Sequence, residues 1–288
     1  GSGFSTLLVF NGVNNGGLPN GTLYYDGTFL YGTTSGYVTG GTIFKVKTDG
    51  SGLTKILDND VGTVGMYQPE GTLLLSGGVL YGTKSGGGSG VAPFFPGTLF
   101  KINTDGSNYT KLFFFDTEGY NPYGSVYSDG TFLYGMTGRG GVYNYGTIFK
   151  IKADGTSFQR LLDLDGANSG SSPYGALISD GTFLYGMTEQ GGTNDGGIIF
   201  KVKNDGTNFS KLFDFDITNT GGSPHGSLFS DGTYLYGMTR YGGINSTGTI
   251  FKIKPDGTGF VKLLDFDDAN KGSSPYGSFY SDGTYLYG

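Results

Sequence analysis

A tripeptide, Leu-Tyr-Gly, recurs at Leu30, Leu80, Leu133, Leu184, Leu235 and Leu286, at spacings of 50, 53, 51, 51 and 51 residues. A fixed period of that length is the mark of one supersecondary unit repeated side by side, each copy burying its apolar faces against its neighbours. It constrains the fold more than any single residue does. Six units are read, with approximate bounds 4–50, 51–106, 107–155, 156–206, 207–257 and 258–288, in a single domain spanning 1–288.

The fifth unit shows what one copy contains. Ser227 to Ser230 leads through Asp231-Gly232 into Thr233 to Thr239, a hairpin whose turn pair suits positive φ. A Gly- and Asn-rich loop then precedes Thr249 to Lys254, and Asp256-Gly257 turns the chain into Phe260 to Phe266. Four short strands result, with apolar residues on both faces of the inner ones and no helical periodicity. Four-stranded sheets repeated radially give an all-β, six-unit β-propeller. With 58 glycines among 288 residues, disorder would be the reading if apolar residues were sparse, but Phe, Tyr, Leu and Ile arrive in regular bursts.

Strand alternation assigns the turns to faces. The aspartates of both Asp-Gly series (Asp26, Asp129, Asp180, Asp231, Asp282; Asp49, Asp105, Asp154, Asp205, Asp256) fall on one rim as turn formers. The long loops and the crossovers between units fall on the other, where function is expected. Residues 4–10 align with the outermost strand, and residue 288 follows the second strand of the sixth unit. The terminal blade is therefore expected to be composite or incomplete, its gap left open, filled by another copy, or continued in a longer array.

Lined up, the units read Pro-x-Gly, an apolar pair, Asp-Gly-Thr-Phe/Tyr-Leu-Tyr-Gly-Met-Thr, Gly-Gly, Gly-Thr-Ile-Phe-Lys-Ile-Lys, Asp-Gly and Lys-Leu-Leu-Asp-Phe-Asp. This pattern resembles the GloVer tandem-repeat family of secreted bacterial proteins with varied C-terminal anchors. The resemblance spans essentially the whole chain and is specific in the string Gly146 to Lys152. It implies export and surface attachment, hence an extracellular or cell-surface location, and supplies no agreed catalytic residues. The first two units depart from it: Thr33 and Thr83 replace Met, and Ser76-Gly77-Gly78 replaces a first Asp-Gly turn.

Composition removes several function classes. A formal charge of −6 with 18 basic residues lacks the footprint of a nucleic-acid binder. No apolar run approaches the length of a membrane-spanning helix, so no membrane insertion is expected. Without cysteine, and with His225 the only histidine, disulfide frameworks, zinc sites and imidazole-based triads are not expected. Glu70, Glu118 and Glu189, the only glutamates, occupy non-equivalent repeat positions, which weakens a carboxylate pair for glycoside hydrolysis. No catalytic residue and no cofactor is assigned.

Two sets of residues remain. Asp-x-Asp recurs at Asp58/Asp60, Asp163/Asp165, Asp214/Asp216 and Asp265/Asp267. Alternate strand positions share a face and could offer oxygens to calcium, but aspartates at strand ends commonly accept turn N–H groups, and that reading is preferred. The residue inside Pro-x-Gly or its equivalent changes from unit to unit: Asn20, Glu70, Tyr123, Tyr174, His225, Tyr276. Those side chains either bind a sugar or peptide or pack between blades. Phe94 and Phe95, set between prolines in the second unit, either cover a gap between blades or form a contact surface.

The expected protein is a noncatalytic, extracellular binding or display module, its ligand a glycan or a protein on the long-loop face. The alternative is an assembly subunit that self-associates by strand exchange at the open blade. A polysaccharide-acting enzyme is the weaker third reading.

Overall fold

The computed structural model describes residues 6–12, 15–35, 41–58, 71–86 and 96–288. These residues contain strands and turns and no helix. They divide into two compact units, 1–116 and 117–288.

The first unit holds two meander sheets. One runs β1 (Pro19–Tyr25), β2 (Phe29–Thr34), β3 (Thr42–Lys47), β4 (Thr54–Asp58); the other β5 (Leu74–Ser76), β6 (Val79–Lys84), β7 (Thr98–Asn103), β8 (Thr110–Phe114). The second unit holds three more: β9 (Tyr127–Ser128), β10 (Phe132–Thr137), β11 (Thr147–Lys152) and β12 (Gln159–Asp163); β13 (Ile178–Ser179), β14 (Phe183–Thr188), β15 (Ile198–Lys203) and β16 (Ser210–Asp214); β17 (Phe229–Ser230), β18 (Leu235–Thr239), β19 (Thr249–Ile253) and β20 (Val261–Asp265). A two-stranded sheet of β21 (Tyr280–Ser281) and β22 (Leu286–Tyr287) follows. The sheets are blades of a β-propeller. Six units with a composite or incomplete terminal blade were expected; the described residues form five four-stranded blades and a two-stranded sheet, β21 and β22.

Each repeated residue has a mechanical reason. The glycine of Leu-Tyr-Gly faces the phenylalanine of the third strand, as in Gly186 opposite Phe200. A Cβ there would lie 2.6 Å from Phe200 Cζ, so only glycine leaves room for the ring. The equivalent Phe100, Phe149 and Phe251 are likewise fully buried. One residue earlier, the tyrosine hydroxyl donates to the aspartate of its own turn: Tyr134 to Asp129 Oδ2 at 2.8 Å, with Asp129 Oδ1 accepting the Thr131 and Phe132 amides at 2.8 Å. The Asp-Gly turns are thereby structural, and meander order puts both series at one end of each sheet and the Gly-Gly loops at the other. All five outer pairings carry a bulge after the second residue of the third strand, for example between Ile148 and Phe149, which twists the outer strand.

Blades stack face to face through continuous apolar clusters. Tyr134, Met136 and Ile148 of one blade meet Leu177, Leu184 and Phe200 of the next, and Tyr185, Ile199 and Phe215 meet Leu228, Leu235 and Phe251. Lysines latch the stack: Lys150 Nζ donates to the Asn204 carbonyl at 3.3 Å and Lys201 Nζ to that of Pro255 at 3.2 Å. In the first unit, Lys45 Nζ does the same to Thr104 at 2.9 Å. The second blade breaks one repeated pair. Thr137 and Thr147 share a buried hydrogen bond of 2.9 Å, but Lys84 stands opposite Thr98 and leaves Thr98 Oγ1 buried without a partner.

Within the first unit, residues 6–12 are not part of a strand. They nevertheless occupy the place that an outermost strand takes on the following blade. The Leu7 carbonyl lies against Gly50 as that of Leu161 lies against Gly206 and that of Leu212 against Gly257. Phe10 meets Phe44 edge-on at 5.2 Å, matching Phe215 on Phe251 at 5.2 Å.

Candidate functional site

The first strands of the second unit approach each other unusually closely. At Gly124, Gly175 and Gly226 an added Cβ would collide with the carbonyl of the next repeat's glycine, namely Gly175, Gly226 and Gly277. This approach allows the Ala176 amide to donate to Ser227 Oγ and the Ser227 amide to Ser278 Oγ, each at 2.8 Å. Just before each Pro-x-Gly, Asn121, Ser172 and Ser223 adopt left-handed φ of 57°, 54° and 54°. Their carbonyls accept the amides of Gly138, Glu189 and Arg240, the first residues after the second strands. Each Pro-x-Gly side chain is thus held beside the start of a long loop.

The consequence is an aromatic column. Tyr123 and Tyr174 stack at 4.5 Å and 14°, Tyr174 and His225 at 4.1 Å and 26°, and Tyr276 closes against His225 edge-on at 4.7 Å and 66°. The variable tyrosines and histidine named from sequence are therefore brought together. Because interior rings cover one another's faces, a ligand reaches their edges and hydroxyl groups, and a ring face is open to it only toward the column's ends. Tyr123, Tyr174 and His225 are half-buried, and Tyr276 is 51% exposed. Asn20 lies in the other unit, exposed, with its Nδ2 donating to Ser35 Oγ at 2.9 Å. Glu70, Phe94 and Phe95 lie outside the described residues, as does Asp60.

Two side chains not singled out by repeat position complete the cluster. Arg240 sits with its guanidinium carbon 4.5 Å from the Tyr241 ring and 4.3 Å from that of Tyr276. Glu189 holds the equivalent place one blade earlier and is half-buried; burial raises its pKa, and the charge of Arg240 opposes that rise. Both follow a Met-Thr, where the third unit has Gly138. The signal in the sequence was this single variable position inside an otherwise constant string.

Burial first, and Arg240 second, push the His225 imidazole down to about 4, so it is neutral at pH 7. An imidazole harder to protonate in the fold than in the unfolded chain contributes stability that is complete above the ordinary value of 6.5 and is lost as pH falls toward 4. His225→Tyr, which installs the residue of the neighbouring repeats, should remove that loss. The parent is expected to lose about 2 kcal/mol more than the variant between pH 7 and pH 4 in paired urea melts. Glu189 is present in both proteins, so its opposing contribution largely cancels. Equal pH dependence would show that the imidazole is not desolvated by the column.

The Asp-x-Asp carboxylates are occupied by donors. Asp163 Oδ1 accepts the Val142 amide at 2.9 Å, and Asp165 accepts from Asn168 and Ser169, each at 2.8 Å. Asp214 accepts the Thr193 amide at 3.0 Å and pairs with Lys211 at 2.7 Å, while Asp216 accepts Asn219 Nδ2 at 2.7 Å. Asp265 accepts from Ile244 and Lys262 and Asp267 from Asn270, each at 2.9 Å; Asp58 pairs with Lys55. Among the described residues, no three His, Asp or Glu side chains are grouped to hold a metal ion. Addition of a chelator should therefore leave the melting temperature within about a degree if these carboxylates serve their protein donors alone. A fall of several degrees reversed by calcium would reinstate an ion site at Asp214 and Asp216.

The family model of the Gloeobacter/Verrucomicrobia repeat matches residues 67–183 and 97–288 in two overlapping segments. The chain belongs to this repeat family. No curated protein matches it. Among solved structures it is similar to a chain of the nidogen/laminin complex, with TM-score 0.60 and 19% identity over 90% of this chain and 84% of that one. A putative TolB from Agrobacterium tumefaciens follows with TM-score 0.55 and 15% identity over 91% and 84%. An oligogalacturonate lyase solved with manganese gives 0.53 and 15%, covering 84% of this repeat protein and 63% of the lyase. At these identities the likeness is one of fold, which hosts unrelated activities.

Proposed function

We propose that this repeat protein is a noncatalytic binding or display module of the bacterial cell exterior, with a glycan bound at the long-loop end of its second unit. The observation that carries the reading is the aromatic column: four rings from successive repeats, three tyrosines and one histidine, half-open to solvent and flanked by one cation and one carboxyl group. At the outer-strand edge of the same end of the blades the loops also expose apolar groups, including Val142 at 69% and Ile244 at 79%. The family resemblance supports export. A catalytic reading gains little support, because Glu118 is paired with Arg160 at 3.4 Å.

Screening the purified chain on a glycan array tests this, with Tyr174→Ala and Tyr276→Ala alongside. Binding weakened at least tenfold by both variants is expected; binding indifferent to both would remove the column from the site.

The alternative of strand exchange rests on residues 6–12, which take an outer-strand position without a sheet of their own. A concentration-dependent dimer in sedimentation would favour it.

A further inference from the structure

The sequence contains three arginines: Arg139, Arg160 and Arg240. Arg160 is spent on structure, paired with Glu118 and, at 3.3 Å, with Asp163. The other two follow second strands, at the long-loop end of their blades, in the same unit as the aromatic column. Neither makes an ion pair or a side-chain hydrogen bond with the described residues. At Arg240 the omission is costly at one atom, because Nε is buried and has no acceptor among the described residues. The rest of the half-buried guanidinium, a rigid fork of donors, stays open to solvent and to an incoming acceptor. Stacking between Tyr241 and Tyr276 satisfies the faces of the cation and leaves its edge, where the donors lie, unused.

We infer that Arg240 is the anchor for a carboxylate carried on a sugar ring, so that the ligand of the column is an oligosaccharide containing hexuronate residues. This rests on the column being the binding surface. A carboxylate matches the planar fork in a bidentate pair that a neutral hydroxyl cannot reproduce. Ring edges and hydroxyl groups of the column then meet the pyranose hydroxyls, and half-exposed Tyr276 offers an apolar surface to the sugar ring. The acid facing Arg240 is Glu189, whose carboxyl group burial already disfavours as an anion. The overall charge of −6 is spread over the chain and screened beyond about 10 Å at ordinary salt, so it does not forbid a local anion site.

The test uses one set of oligosaccharides in two chemical forms: tetrasaccharides of pectin, alginate and hyaluronan, each before and after reduction of the carboxyl groups to primary alcohols. Titration calorimetry on the full chain should show at least one acidic form binding ten or more times tighter than its reduced counterpart. Arg240→Met keeps an apolar stem beside the two tyrosines and should abolish that preference, bringing the affinity for the acidic form down to that for its reduced counterpart. Arg240→Lys, which retains charge without the fork, should fall between, and matching melting temperatures control for folding. Equal affinity for acidic and reduced forms, or a preference that survives Arg240→Met, overturns the inference. So does equally tight binding of polyglutamate, which would make the site one for any carboxylate. Binding of neutral glycans that is lost in Tyr174→Ala, with no acidic form bound more tightly than its reduced counterpart, overturns the uronate assignment and keeps the column as the site, whereas no glycan binding at all removes both.

Discussion

Gly226→Ala is expected to unfold the second unit under mild conditions, with a loss of about 3 kcal/mol or more. The new methyl group would occupy the position of the Gly277 carbonyl, and both partners are backbone, so no side-chain rotation relieves the clash. Moving the strands apart would break the hydrogen bond from the Ser227 amide to Ser278 Oγ and open the stack of His225 on Tyr276. Gly277→Ala provides the control. A Cβ at Gly277 meets nothing within 4 Å, so that variant should stay within about 0.5 kcal/mol of the parent. Urea melts followed by tyrosine fluorescence measure both. If Gly277→Ala is as damaging as Gly226→Ala, another first strand lies against it in solution; if both are harmless, the close approach of the glycines is not a feature of the folded protein.

Removing residues 1–10 is expected to weaken the first unit by about 2–4 kcal/mol, within the range for deleting one packed aromatic and its apolar neighbours. Phe44 is 2% exposed and Phe10 lies edge-on against it. The Leu7 carbonyl over Gly50 would be lost as well, and Asn15 would lose the bond from its Nδ2 to the Val9 carbonyl, 2.8 Å. Native-state hydrogen exchange should show the loss first at β3 and β4, with β7 and β8 less affected, because local opening follows the uncovered face. A truncated chain that melts and exchanges like the parent would mean that residues 6–12 rest on the blade without supporting it.

Much of this architecture could be read before any coordinates. The 51-residue period requires stacked, equivalent units. Asp231-Gly232 and Asp256-Gly257 mark hairpin turns through short-range chemistry, an aspartate accepting amides two and three residues on, which depends on nothing distant. Strand order within a blade follows, because consecutive short strands joined by tight turns have little choice but to pair with their neighbours. The structural part of the Asp-x-Asp pattern was legible for the same reason.

Contacts between repeats were not legible, because they join residues about 51 positions apart whose meeting is decided by the angle and spacing of whole sheets. Nothing in Pro-x-Gly states that the x side chains lie 4.1 to 4.7 Å apart and stack on each other. That follows from backbone approach at Gly124, Gly175 and Gly226, where absence of a side chain on one strand meets a carbonyl on the next. Arg240 was hidden for a related reason. In the sequence it is one cation in a Gly-rich loop; packing turns it into a guanidinium set against Tyr241 and Tyr276 with its buried Nε unmet among the described residues. Local hydrogen-bonding chemistry and periodicity therefore determined the blade, and the tertiary stacking of blades decided the site, since only stacking brings a variable residue of one repeat onto that of the next.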